Sequence, residues 1–280
     1  MTKQLLLLTV LIMSCFYGHA QQRFVGTIGP YPIEVFLGDF HSGKSQTADG
    51  YYVYKKYDEP IHLRGQLDST GLILNEVNDS FEILATFNFP NFKRSDTLLN
   101  GNWTNSSRRY QVDLRREPDR YYDEAWQDSL ELHRQWGNSK HHYYKTVSDP
   151  KVPYYERQVY EVLVFNKGND SLLQVISLDA HFRGMYNVLT EDINFDGVQD
   201  LYVILYSGMR SNVVAAYWVF EDGQYRKLEY EGLTLDVDHE RREISSTYFD
   251  GVNGSTHIQY KWKDGELVKA SESHYKPDFD

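Results

Sequence analysis

The chain has 280 residues with 29 basic against 40 acidic side chains, a net charge of −11, which argues against nucleic acid or an anionic membrane surface as its partner. Aromatic residues make up 15% of it, 23 of them Tyr, a composition that favours all-β domains with a wet aromatic surface, as in carbohydrate binders and protein-binding modules alike. The single Cys, Cys15, excludes a disulfide framework, so loops must be held by other means.

Residues 1–20, MTKQLLLLTVLIMSCFYGHA, read as a signal peptide. Lys3 precedes the apolar run Leu5–Met13, and Gly18-His19-Ala20 supplies small residues for cleavage after Ala20. The run is too short to span a bilayer as a mature helix. Export to a bacterial periplasm or cell envelope is expected. Lipid attachment at Cys15, within Ile12-Met13-Ser14-Cys15, is the alternative.

From Phe24 to Arg116 short alternating runs are separated by turn residues. Tyr31–Leu37 sets Ile33, Val35 and Leu37 on one face. Gly50–Lys56, Ile61–Leu67, Leu72–Val77, Phe81–Phe87, Leu98–Trp103 and Tyr110–Arg116 follow, which predicts an antiparallel meander or small barrel over residues 21–117. Over 118–158 the pattern changes. Asp123–Gly137 places Trp126, Leu130 and His133 on a helical stripe ending in Gly137 as a C-cap, and NSKHHYYKTVSDPKVP behind it reads as a linker. Residues 159–280 return to strands, with hairpin turns at Glu221-Asp222-Gly223 and Lys263-Asp264-Gly265. The expected fold is all-β: two antiparallel β domains, the second a propeller-like or sandwich sheet, joined by a short helix and linker.

The chemistry concentrates between Asp192 and Asp200, DINFDGVQD. Asp192, Asn194 and Asp196 stand at alternate positions, Gly197 permits a sharp turn, and the Val198 carbonyl and Asp200 complete an oxygen-only donor set suited to Ca2+. Three carboxylates in one short loop repel each other without a cation. The competing reading is an Asx-rich turn with no metal. A helical EF-hand is excluded, because the position that would carry its closing Glu is Val203, inside an apolar strand. The ion's expected role is structural, in place of the missing disulfides.

This loop, followed by a strand, resembles the calcium loops of integrin-type FG-GAP repeats. The longer run LTEDINFDGVQDLYVILYSGMRSNVVAAYWVFEDGQYRKL resembles the C-terminal domain of periplasmic immunity proteins that protect bacteria from lysozyme-like type IV secretion effectors, relatives of the inhibitors of invertebrate-type lysozyme. The resemblance implies a β domain whose loop after the calcium-proximal strand plugs an enzyme's cleft. On this chain that partner-binding loop is Ser207, Gly208, Met209, Arg210, Ser211 and Asn212. The Ser-Gly pair is present, but no Tyr follows it closely.

The expected function is therefore that of a binding module and not an enzyme: an inhibitor of a lysozyme-like muramidase, or else a carbohydrate-binding or structural envelope module. His141-His142 carries no metal-ligand spacing, and no nucleophile elbow or phosphate loop is present.

Overall fold

A computed structural model of the protein describes residues 21–38, 46–78, 80–123, 128–208, 212–251 and 254–276. The expected signal peptide and Cys15 lie outside them. Apart from two single-turn 3-10 helices, Tyr154–Glu156 and Gly184–Tyr186, the regular structure among the described residues is β. The chain forms two compact units, one made of residues up to His133 with Ser148–Arg157, the other of Arg134–Val147 with Gln158–Asp280.

The first unit is built on a closed eight-stranded barrel of sequential antiparallel strands: β1 Gln22–Ile28, β2 Tyr31–Leu37, β3 Gln46–Tyr54, β4 Ile61–Asp68, β5 Gly71–Val77, β6 Ile83–Pro90, β7 Leu98–Asn105 and β8 Arg109–Arg116. Strand β8 closes on β1 with Gly26 opposite Leu114, so no edge is left unpaired. Period-two alternation decides which residues fill it. Ile33, Val35 and Leu37 point inward from β2, and Leu72 with Leu74 from β5. Phe87 packs edge-on to Tyr52 at 5.4 Å, and each such side chain taken from water contributes about 1.5–3 kcal/mol.

The next strands are β9 Arg120–Asp123, β10 Asp128–Asn138, β11 His142–Ser148, β12 Gln158–Asn166 and β13 Leu172–His181, one sheet in the order β13-β12-β11-β10-β9. This corrects the expected helix over Asp123–Gly137. Trp126, on its proposed stripe, lies outside the described residues, and the segment from Asp128 onward is strand. The stripe fails because polar residues take the buried places: Gln135 donates to Thr146 Oγ1 at 2.8 Å and accepts from the Asn187 and Val188 amides. Nor is Gly137 a helix cap. A Cβ there would stand 2.4 Å from the Val188 carbonyl oxygen, so glycine permits a close backbone approach instead.

The expected linker is likewise β11, with six of its seven residues buried. Its polarity misled because His142 and Tyr144 both meet the Tyr225 hydroxyl, at 3.2 and 2.8 Å. Two four-stranded antiparallel sheets complete the second unit: β14 Val188–Glu191, β15 Asp200–Ser207, β16 Val213–Glu221 and β17 Gln224–Leu233, then β18 Asp236–Asp238, β19 Glu243–Phe249, β20 Ser255–Lys263 and β21 Glu266–Tyr275. Both anticipated hairpin turns form, with positive φ at Asp222, Gly223, Asp264 and Gly265 as a primed turn requires.

Candidate functional site

The segment 192–199 joins β14 to β15, and its alternation divides the labour. Ile193 is fully buried in a cluster with Ala215, Tyr217, Val219, Leu228, Ile244 and Leu267, drawn from both four-stranded sheets. Its carbonyl accepts from Trp262 Nε1 at 3.0 Å. Phe195 carries the Arg242 guanidinium over its ring at 5.2 Å and meets the His239 ring edge-on at 5.7 Å. Phe195 itself has φ +61°, a left-handed conformation that costs a non-glycine residue roughly 1–2 kcal/mol and must be held by such contacts. Gly197 takes φ +87° without that cost.

The polar residues face the other way and gather the loop's amides. Asp192 accepts from the Asp196 N–H at 3.1 Å and the Gly197 N–H at 2.9 Å. Asn194 Oδ1 accepts from the Asp196 N–H at 3.1 Å, and its Nδ2 donates to Asp196 Oδ2 at 2.9 Å. Asp196 Oδ1 accepts from the Val198 N–H at 2.7 Å. Asp200 lies behind the loop at 0% exposure. It accepts the Ile193 N–H at 3.0 Å and, across the sheet, the Phe220 N–H at 2.8 Å. Burial pushes its carboxyl up to about 6; the Phe220 and Ile193 amides oppose the shift and nearby Asp196 adds to it.

The expected calcium ligands thus share one compact loop. Among the described residues no group of three or more His, Cys, Asp or Glu side chains converges as a metal cage. The donor chemistry nevertheless fits a hard cation. Every side-chain donor is oxygen, and a carboxylate oxygen that accepts one N–H keeps a lone pair for an ion. Asp192, Asn194 and Asp196 would provide the outer ligands with the Val198 carbonyl, and Asp200 the buried one.

Of the expected partner loop, Met209, Arg210 and Ser211 lie outside the described residues. Its flanks are fixed. Ser207 Oγ accepts from Arg183 Nη1. The Gly208 N–H donates to the Asn212 carbonyl at 2.7 Å. The Asn212 side chain pairs with the main chain of Phe249, donating to its carbonyl at 3.1 Å and accepting its N–H at 3.0 Å. Exposed aromatics Tyr206, Tyr248 and Phe249 stand on the strand ends beside these flanks.

Phe220, Trp262, Arg242 and Asn212's partner Phe249 were not foreseen as parts of this site. They meet the loops across 20 to 69 residues of sequence, and only Asp-Gly turns hinted at the neighbouring hairpins.

No family model matches the chain, and no curated protein does. Among solved structures, a candidate 6-phosphogluconolactonase from Bacteroides fragilis is similar at a TM-score of 0.33 and 9% identity, covering 92% of this chain and 96% of that one. A likeness that slight carries no argument about fold or activity. No helix of the described residues is long and apolar enough to cross a membrane.

Proposed function

We propose that the protein is an exported, calcium-binding β protein that acts as a binding module, inhibiting a lysozyme-like muramidase through the hairpin tip Ser207–Asn212 and catalysing nothing itself. The observation that carries this reading is the clamp at the tip's base, where the Asn212 amide copies a strand pairing onto Phe249. Flanks fixed in advance lower the ordering cost of binding through the residues between them, and preorganisation of that kind raises affinity. Exposed Tyr and Phe beside it are the residue types that anchor protein interfaces. Glycosidases use paired carboxylates, and an Arg such as Arg210 offers two parallel N–H donors to a carboxylate.

The calcium role is structural. Held by Asp192, Asn194, Asp196, the Val198 carbonyl and Asp200, the ion supplies positive charge to a short segment whose sequence carries three carboxylates. The loop's apolar side, Ile193 and Phe195, passes that stability to the sheet that carries β15 and the tip after it.

The same exposed aromatics favour a second reading, an envelope glycan stacked on Tyr206, Tyr248 and Phe249. One experiment separates the two. The purified protein is assayed against several lysozyme types, with calcium and with chelator. Inhibition that falls with chelator, and falls again in Ser207→Ala and Arg210→Ala, is the expected result. Undiminished lysozyme activity at micromolar protein across the panel overturns the inhibitor reading and leaves peptidoglycan pull-down to test the glycan.

A further inference from the structure

The barrel's two ends differ in how their polar groups are satisfied. At the end where β3, β5 and β7 finish, Tyr52 and Trp103 both donate to Glu76, at 2.9 and 3.3 Å. At the opposite end, alternation leaves the last inward-facing place on β1 to Gln22, in the row of Phe24, and on β3 to Gln46, in the row of Ala48. On β4 it falls to Leu67, and on β8 to Arg116, in the row of Leu114. These side chains line a cavity of about 700 Å3. Its apolar wall includes Phe92, which the β6–β7 connection folds back into the barrel, edge-on to Phe24 at 6.4 Å.

Two features set the cavity apart from the rest of the barrel. Gln22 is only 3% exposed, yet its Oε1 has no hydrogen-bond partner among the described residues, and the buried Oε1 of Gln46 has none among them either. An amide acceptor left unpaired in a protein interior costs on the order of 1–3 kcal/mol, a burden a fold sheds unless the group has another task. The charge is also out of character. Arg116, Arg94 and Lys93 surround the space against one carboxylate, Asp68, whose Oδ1 is already engaged by the Thr70 N–H and hydroxyl, in a chain whose net charge is −11.

We propose that this mouth of the barrel binds a small sugar acid, a ligand with one carboxylate, several hydroxyls and a compact carbon frame. The carboxylate is met by Arg116 and Arg94, the hydroxyls donate to Gln22 and Gln46 Oε1, and the ring lies against Leu67 and Phe92. A bare inorganic anion satisfies the guanidinium but offers the amides no donor. A neutral sugar does the reverse. The cavity's volume admits a monosaccharide with room for its bridging waters.

Calorimetric titration of the purified protein with D-glucuronate, D-glucose, acetate and sulfate tests this. Glucuronate is expected to bind saturably with a dissociation constant of about 1 mM or tighter, and the other three at least about tenfold more weakly. Gln22→Leu and Arg116→Met are each expected to weaken glucuronate about tenfold or more. Gln22→Leu also removes the unpaired buried acceptor, so its melting temperature should equal or exceed that of the parent, which separates lost binding from lost folding. The proposal is overturned by any of three results: no saturable glucuronate binding at about ten times the expected constant, sulfate or acetate binding as tightly as glucuronate, or glucuronate affinity unchanged in Gln22→Leu. None of these results bears on the Ser207–Asn212 tip.

Discussion

The barrel encloses hydrocarbon: Phe24, Leu63, Leu72, Phe87 and Leu99 meet inside it, and the half-buried Glu76 at one rim is answered by a Tyr and a Trp. The unit carrying the 192–199 loop puts a carboxylate, Asp200, at 0% exposure and holds it with two backbone amides, beside a core that includes four Tyr residues. The contrast separates two ways of specifying a fold. A closed barrel with an apolar middle layer is specified by local alternation, strand by strand. A loop stapled between sheets is specified by polar groups whose partners lie far off in sequence, and its stability depends on charge state and, on our proposal, on an ion.

The sharpest way to break that contrast is to cut a large side chain from the barrel. Phe87→Ala removes a fully buried ring from between Tyr52 and Phe89 and should cost about 3–5 kcal/mol in denaturant unfolding. The loss should be the same with calcium and with chelator. A loss that depends on calcium would mean that the two units do not differ in the way described.

A buried titratable group in the first unit gives the next effect. His133 is fully buried beside Ser148 Oγ at 2.9 Å, and burial, with the nearby Arg157 charge, pushes its pKa down from 6.5 to about 3. The fold therefore keeps His133 neutral, while the unfolded chain binds a proton below pH 6.5. Its contribution is present above that pH and is lost as pH falls toward about 3, roughly 2–3 kcal/mol by about pH 4.5. Unfolding midpoints measured from pH 7 to 4 should drop, and His133→Gln should flatten the slope.

Asp200 should do the opposite. Its folded pKa is raised from 3.8 to about 6, so in chelator its contribution is present below 3.8 and is lost as pH rises through about 6, at most about 3 kcal/mol. Calcium attracts the ionised form, so in calcium the loss with rising pH should shrink or reverse. The comparison is made in His133→Gln, where the opposing slope is gone. A pH dependence identical in calcium and chelator would leave the loop an Asx-rich turn without an ion.

These contributions also explain what could be read from the sequence. The run Tyr31–Leu37 matches β2 end for end, because each residue's face follows from its neighbours alone. The same holds for the Asp-Gly hairpins, where positive φ at two successive residues selects the residue types. The segment 128–148 was misread because His133, Arg134, Gln135, His142 and Thr146 are buried polar residues, and what makes them tolerable is a partner on another strand. That Asp192, Asn194, Asp196 and Gly197 would form one tight turn was legible in their spacing. That Ile193 would anchor two sheets and that Asp200 would bind Phe220 was not, since both depend on how distant strands come together.

The smallest effect on stability should be the largest on partner recognition. Asn212 makes two hydrogen bonds to the Phe249 backbone at an exposed site, where water competes for every donor and acceptor, so Asn212→Ala should cost about 1 kcal/mol or less. If the hairpin tip is the inhibitory element, the same change frees its root, and inhibition should fall about tenfold or more although the melting temperature barely moves. Asn212→Asp makes the test finer. It keeps the oxygen that accepts the Phe249 N–H and loses the amide that donates to the Phe249 carbonyl, and it places a carboxylate against that carbonyl. Its inhibition should lie between the parent and Asn212→Ala if the clamp acts through both bonds. Equal inhibition by all three proteins would show that the root's geometry does not matter to binding and would move the search for the contact surface to Tyr206, Tyr248 and Phe249.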